Sequence, residues 1–180
     1  MVTMDPYSSL TSGYHVFFEP TGEVNEQLET VVHNLSTEYG GPLFQSHVTL
    51  LAMIPEEDEA LLLEKTRLLA TRISAFEISF SKLCAEDRYF RTLYMKANVS
   101  EELSKSRALV LEAFGMEEVG EYMPHLSLLY GNYDEARKQE TIQTLQHLVP
   151  LTFQANVLTL WKTPGDASTW RKVGEYSLTA

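Results

Sequence analysis

The sequence lacks the features that build disulfides, membrane spans and secretion signals. Cys84 is the only cysteine among 180 residues, so no disulfide can form within the chain. No run approaches the roughly 20 apolar residues of a membrane span, and residues 1–13 lack the basic start and apolar stretch of a signal peptide. We therefore expect no membrane partner and a cytoplasmic location.

Positive charge is also scarce. Lys and Arg number 14 against 25 Asp and Glu, which gives a formal net charge of −11. Binding to long nucleic acids depends on many cations that displace condensed counterions, so this balance argues against such a partner. A small phosphate needs only one or two local cations. Because a chain of this length buries roughly 70% of its unfolded surface on folding, it can form its own core, and we expect a monomer.

No glycine-rich phosphate loop occurs in the sequence, and no group of His, Cys and Asp residues has the spacing of metal ligands. The sequence therefore predicts neither a metal nor another cofactor.

Hydrophobic periodicity predicts an alternation of strands and helices that is repeated once. The first unit reads strand, helix, strand, helix, strand, at about 14–19, 24–35, 45–53, 56–73 and 76–80. The second unit has the same order, with Ser100 and Asp134 as helix caps, at about 89–97, 100–114, 125–130, 134–149 and 153–161. A last strand is predicted at about 172–178.

This repeat predicts one two-lobed domain over residues 1–180, with repeat units at roughly 14–82 and 88–161. We expect an α+β fold with two pseudo-symmetric lobes, formed by duplicated β-α-β-α-β units. Their mainly antiparallel sheets would face each other across a central cleft.

A short motif repeats within the two units. His-Val-Thr-Leu-Leu at 47–51 and His-Leu-Ser-Leu-Leu at 125–129 differ only by conservative exchanges, and both fall on the middle strand of their unit. Successive side chains on a strand point to opposite faces, so each His shares a face with the hydroxyl two residues later. One such motif is a weak signal. Two copies at equivalent places predict a site.

Two imidazoles and two hydroxyls across a cleft suit the hydrolysis of a phosphodiester. One His would take a proton from water while the other protonates the departing oxygen, and an ordinary pKa near 6.5 allows both roles at neutral pH. Thr49 and Ser127 would hold the phosphate oxygens. We assign His125 as the base and His47 as the acid, although the pseudo-symmetry leaves the reverse assignment open.

The paired motifs resemble the signature of the two-histidine phosphoesterase superfamily, and the segment Pro124 to Tyr130 resembles its cyclic phosphodiesterase subgroup. The resemblance implies hydrolysis of ADP-ribose 1″,2″-cyclic phosphate to the 1″-phosphate and of nucleoside 2′,3′-cyclic phosphates to 2′-phosphates, without metal. It implies a link to tRNA splicing. It also implies His47 and His125 as the catalytic pair, with Thr49, Ser127 and Tyr130 binding phosphate.

Several other residues allow two interpretations. Tyr130 fits a core position as well as the site, and one of Phe17 and Phe18 should face the core. Arg88 and Arg91 suit a solvated edge better than a phosphate contact. The loop at 163–169 has the Pro-Gly punctuation of a mobile segment that could close over a ligand.

The remaining histidines, His15, His33 and His147, lack a hydroxyl two residues later, which favours structural or solvent-facing roles. Cys84 has no basic neighbourhood that would activate its thiol, so it is predicted to be a small hydrophobic residue.

Two other functions remain open from the sequence. A related enzyme could act on 2′,5′-linked oligonucleotides or on RNA ends, although the negative charge disfavours long substrates. A nucleotide-binding module without turnover would keep the same pocket, but two intact histidines argue against it.

Overall fold

The computed structural model describes residues 7–180. The prediction that residues 1–13 form no signal peptide includes residues 1–6, which lie outside the described residues. Eight strands and four α-helices occur in the described chain, which confirms the α+β class. The strands are β1 Tyr14–Phe18, β2 Val48–Ile54, β3 Phe76–Ala85, β4 Leu93–Ala97, β5 His125–Leu129, β6 Leu151–Ala155, β7 Val157–Lys162 and β8 Arg171–Ser177. The helices are α1 Gly22–Tyr39, α2 Glu59–Ala70, α3 Glu101–Phe114 and α4 Glu135–Thr144.

The helices begin where local capping chemistry predicts. The side chain of Ser100 accepts a hydrogen bond from the Leu103 amide, and that of Asp134 accepts one from the Arg137 amide. Both caps satisfy an amide that the first helical turn leaves without a partner, which confirms these two predictions. None of the described helices is long and apolar enough to cross a bilayer.

The strands form a single curled antiparallel sheet in the order β6-β3-β4-β5-β2-β1-β7-β8. The two predicted sheets are its halves, and they meet where β2 pairs with β5. α1 packs against β5 and α3 packs against β2, so each half packs a helix on the strand with which the other half meets it. This exchange ties the two halves into one core.

The spatial halves differ from the repeat units at 14–82 and 88–161. β3 belongs to the first unit by sequence, yet it pairs with β4 and β6. The short connection between β3 and β4 allows a hairpin, which brings these two strands together. The spatial halves are therefore β1, β2, β7 and β8 on one side and β3, β4, β5 and β6 on the other.

Two predicted strands need correction. The strand predicted at 153–161 is divided at Asn156 into β6, which pairs with β3, and β7, which pairs with β1. Sequence periodicity misses this division because both pieces are apolar strands of similar pattern. The strand predicted from residue 89 starts instead at Leu93, after a 3-10 turn at Tyr89–Arg91.

Candidate functional site

The repeated motifs lie at the junction of the two halves. Val48 and Leu126 are direct partners in the antiparallel pairing of β2 with β5. Extending this register by one residue sets His47 opposite Ser127 and Thr49 opposite His125. Directly opposite side chains in an antiparallel pair point to the same face. Each imidazole thus lies across from the hydroxyl of the other motif.

The alternation predicted for these strands is confirmed. Val48, Leu50, Leu126 and Leu128 are completely buried in the core. The polar residues of both motifs point to the other face and line one cleft of about 480 Å³. We call this the central cleft, and its lining includes Thr11, His15, Phe17, His47, Thr49, Arg88, Phe90, Arg91, His125, Ser127, Tyr130 and Trp170.

The two imidazoles are held in the same way. The Nδ1–H of His47 donates to the Gln45 carbonyl oxygen at 2.6 Å, and that of His125 donates to the Met123 carbonyl oxygen at 3.0 Å. In each case the acceptor lies two residues before the histidine. Because Nδ1 carries the proton, the Nε2 atom of a neutral ring keeps its lone pair and can accept a proton.

Burial favours the neutral form of both rings. His47 is 9% exposed, and its ring stacks on Phe17 with 3.8 Å between the ring centroids. Burial lowers the pKa of His47, while the Gln45 carbonyl and the Glu19 carboxylate act in the opposite direction. Burial also lowers the pKa of His125 to about 4, with a further lowering from the charge of Arg91, while the Met123 carbonyl and the Glu86 carboxylate act in the opposite direction. A bound anion would favour protonation of the nearer ring.

The residues predicted to contact phosphate differ in their exposure and in whether their hydroxyls already form hydrogen bonds within the protein. Thr49 is partly exposed to the cleft, whereas the Ser127 hydroxyl donates to the Phe90 carbonyl oxygen at 2.8 Å. Ser127 could donate to a phosphate only if its hydrogen turned away from Phe90. Tyr130 is 2% exposed and stacks on Phe44, with burial raising the pKa of its phenol.

Arg88 and Arg91 line the central cleft, whereas the sequence favoured a solvated edge of the sheet for both residues. Both pair with the Glu86 carboxylate, at 3.6 Å and 2.9 Å respectively. Tyr94 also donates to this carboxylate, at 2.7 Å. The two guanidinium groups therefore give one wall of the cleft its positive charge while Glu86 limits their freedom.

His15, for which the sequence favoured a structural or solvent-facing role, lies in the central cleft. His15 is 8% exposed, and its Nε2 lies 3.3 Å from the Thr11 hydroxyl. Burial lowers its pKa to about 4, with a smaller lowering from His47. The available signal was strand alternation, since His15 and Phe17 share one face of β1 and β1 pairs with β2. The other two differ: His33 and His147 are exposed.

The aromatic residues divide between core and cleft. Phe18 is completely buried in the core, and Phe17 covers His47. The Trp161 indole donates to the Glu19 carboxylate at 2.6 Å, whereas Trp170 lies in the lining of the cleft.

The segment before Trp170 is tied to the body of the protein. Gly165 exchanges two backbone hydrogen bonds with Thr11, each of 3.0 Å, and residues 167–169 form a 3-10 turn. The loop predicted at 163–169 thus has fixed contacts in this structure. Cys84 lies partly buried on β3, away from the lining of the cleft. Among the described residues, no group of three or more His, Cys, Asp or Glu side chains could hold a metal ion.

Comparison with known proteins gives relatives over most of the chain. A cyclic phosphodiesterase from Arabidopsis thaliana is 26% identical over 174 residues, covering 92% of this chain and 94% of that protein. A 2′,3′-cyclic-nucleotide 3′-phosphodiesterase from Phaeosphaeria nodorum is 33% identical over 120 residues, covering 59% of this chain and 62% of that protein.

Solved structures share the fold. Escherichia coli LigT complexed with 3′-AMP superposes with a TM-score of 0.62 at 12% identity, covering 94% of this chain and 99% of that one. A protein of Thermus thermophilus, TT0787, gives a TM-score of 0.59 at 19% identity, covering 92% and 97% of the two chains. The sequence model of the 2′-5′ RNA ligase superfamily matches residues 20–167. Because this match spans most of the sequence, the chain belongs to the 2′-5′ RNA ligase superfamily, the two-histidine phosphoesterases, and is an enzyme of that family.

Proposed function

We propose that this enzyme hydrolyses small cyclic phosphates by paired general acid and base catalysis at His47 and His125. The substrates are nucleoside 2′,3′-cyclic phosphates, converted to 2′-phosphates, and ADP-ribose 1″,2″-cyclic phosphate, converted to the 1″-phosphate. The observation that carries the proposal is the pair of imidazoles, each bonded through Nδ1 to a carbonyl, lining one cleft with their Nε2 atoms available.

The chemical step needs one neutral and one protonated ring. The neutral ring removes a proton from water as the water oxygen bonds to phosphorus. The protonated ring gives its proton to the 3′-oxygen as the bond between that oxygen and phosphorus breaks. The products are a 2′-phosphate and a free 3′-hydroxyl, and each such proton transfer contributes roughly 10²- to 10⁴-fold to the rate.

The charges around the two rings support the division of roles. Beyond burial, which lowers both pKa values, the Glu19 carboxylate favours the protonated form of His47. Arg91 favours the neutral form of His125, while the Met123 carbonyl and the Glu86 carboxylate act in the opposite direction. The assignment of His47 as the acid and His125 as the base rests on the charge of Arg91, which has no counterpart at His47 among the described residues. It predicts water attack from the side of His125.

Thr49, Ser127 and the two arginines would hold the phosphate. Arg88 and Arg91 provide cations on the wall of the cleft, and Thr49 presents a partly exposed hydroxyl. Tyr130 also lines the cleft but is almost completely buried, so its proposed contribution is to the shape and polarity of the phosphate site.

The size of the substrate is part of the proposal. The central cleft measures about 480 Å³ and the chain carries a formal net charge of −11. Both support a small substrate over a long oligonucleotide. The monomeric state, the cytoplasmic location and the link to tRNA splicing stay predictions from the sequence.

The test is product analysis with purified enzyme. Adenosine 2′,3′-cyclic phosphate and ADP-ribose 1″,2″-cyclic phosphate are incubated separately, with and without a chelator, and the products are separated chromatographically. We expect the 2′-phosphate and the 1″-phosphate, at rates that the chelator leaves unchanged. Formation of the 3′-phosphate would contradict the assigned leaving oxygen, and absence of any product would refute the proposal in favour of a binding module.

A further inference from the structure

A second groove adjoins the central cleft on the side of α1. It has a volume of about 840 Å³, and Phe17, His47 and Trp170 line both spaces. A molecule whose phosphate lies between the two imidazoles can therefore extend past His47 into this space, which we call the α1 groove.

The two spaces differ in charge. The central cleft contains Arg88 and Arg91, whereas the α1 groove is lined by the carboxylates of Glu26 and Glu29 together with the His33 imidazole. Among the described residues that line the groove there is no Lys or Arg. The molecule thus presents cations where a cyclic phosphate would bind and anions beyond it.

The apolar lining of the α1 groove suits a ring system. Trp161 and Trp170 lie partly exposed in it, and Leu43 is 57% exposed at its rim. Aromatic faces stack with nucleobases without selecting among them, because every base has a π-face. The volume lies within the range of small-molecule sites, which is roughly 300 to 1,000 Å³.

We propose that the α1 groove binds the uncharged nucleoside of a nucleoside 2′,3′-cyclic phosphate and selects against substrates that carry a further phosphate on that side. This inference rests on the function proposed above and defines its substrate class. Carboxylates accept hydrogen bonds from ribose hydroxyls and amino groups but repel phosphates. The enzyme therefore prefers nucleoside cyclic phosphates to ADP-ribose cyclic phosphate, whose pyrophosphate would meet Glu26 and Glu29.

The experiment compares ligands that differ by one phosphate. Calorimetry measures binding of adenosine 2′-phosphate and adenosine 2′,5′-bisphosphate, and kinetics compares adenosine 2′,3′-cyclic phosphate with its 5′-phosphorylated form. Because the two carboxylates are exposed and screened by salt, we expect a preference for the 5′-hydroxyl ligands of about threefold to tenfold at low ionic strength.

Two variants test the groove, each with a matched control. Glu26→Gln removes a groove carboxylate, and Glu23→Gln removes an exposed one from the same helix outside the groove lining. Leu43→Lys places a cation at the rim, and Leu61→Lys places one at an exposed position on α2. We expect Glu26→Gln to reduce the preference for the 5′-hydroxyl ligands over the 5′-phosphate ligands, and Leu43→Lys to abolish or reverse it. Both control variants should keep the wild-type ratio of affinities.

The binding data separate this inference from the proposed function. If the ligands show the expected ratios but no cyclic phosphate is hydrolysed, the proposed catalysis fails and the groove assignment holds. If hydrolysis occurs but the 5′-phosphate ligands bind equally or better, the groove assignment is overturned. Unchanged ratios in Glu26→Gln and Leu43→Lys, or failure of both adenosine ligands to bind, also overturn it.

Discussion

The most direct prediction concerns replacement of each cleft histidine by alanine. His47→Ala and His125→Ala should each lower kcat by about 10²- to 10⁴-fold, the usual contribution of one acid–base group. This range corresponds to about 2.7 to 5.4 kcal/mol of transition-state stabilisation. The double variant should lose little more than the poorer single variant, because the two rings act on one proton-transfer sequence.

The structure also predicts how stability will respond. His47→Ala removes a ring stacked on Phe17 and a hydrogen bond to Gln45. Each of these contacts is worth about 0.5 to 1.5 kcal/mol, so a loss of about 1 to 3 kcal/mol in unfolding free energy is expected. His125 also donates a hydrogen bond, to the Met123 carbonyl oxygen, but its ring meets Tyr94 edge-on at 5.3 Å between centroids and is not stacked. His125→Ala should therefore cost less.

The control is His147→Ala. The Nδ1–H of His147 also donates to a nearby carbonyl oxygen, that of Thr144 at 3.0 Å, but the residue is exposed and lies outside the central cleft. Its replacement should leave kcat unchanged. The assay is steady-state hydrolysis of adenosine 2′,3′-cyclic phosphate, with thermal unfolding measured on the same samples. Full activity in either cleft variant, at unchanged fold, would refute the paired mechanism.

Two further predictions address the hydroxyls and the pH dependence. Thr49→Val and Ser127→Ala should each lower kcat by about 10²-fold, because each removes one hydrogen-bond donor to the phosphate oxygens. Only Ser127→Ala should also destabilise the fold, because it leaves the Phe90 carbonyl oxygen without its hydrogen bond from Ser127. The stability should fall as the pH drops from about 6.5 towards 4, because the unfolded chain then protonates His15 while burial holds its folded pKa at about 4. For His15 alone the loss is on the order of 3 kcal/mol.

Matched variants separate these effects from general ones. Ser104→Ala removes an exposed hydroxyl on α3 that donates to the Ser100 carbonyl oxygen, where water can replace it, so kcat and stability should stay unchanged. Chemical unfolding at pH 7 and pH 4.5 should show a smaller difference for His15→Gln than for the wild type, since carboxylate titration is common to both. Equal differences in unfolding free energy between the two pH values would contradict the lowered pKa of His15 as a cause of the acid sensitivity. A wild-type rate in Thr49→Val would show that this hydroxyl does not bind the phosphate.

Local patterns in the sequence predict much of the fold and of the candidate site. Strand alternation within the two repeated motifs predicts which side chains enter the core, and Val48 and Leu126 are indeed buried. Helix starts at Ser100 and Asp134 follow from capping chemistry that involves only the next few residues. Such features depend on near neighbours, so they can be recognised before any tertiary structure is known.

The pairing of strands was beyond these local patterns. The crossing at Asn156 sends two adjacent strands to opposite halves of the sheet, and β3 leaves its repeat unit to pair with β4. Strand composition alone does not distinguish one antiparallel partner from another, since the pairing energy depends on neighbours that are distant in sequence.

By itself, therefore, the sequence determined the two strands that carry the repeated motifs, the faces of their side chains and the family that the motifs resemble. Only the tertiary structure decided that Val48 pairs with Leu126, that His15 shares the cleft and that carboxylates of α1 line a groove which His47 also lines. The physical reason is that a side chain's facing is fixed by the backbone period of its own strand, whereas its neighbours across a cleft depend on packing between distant segments.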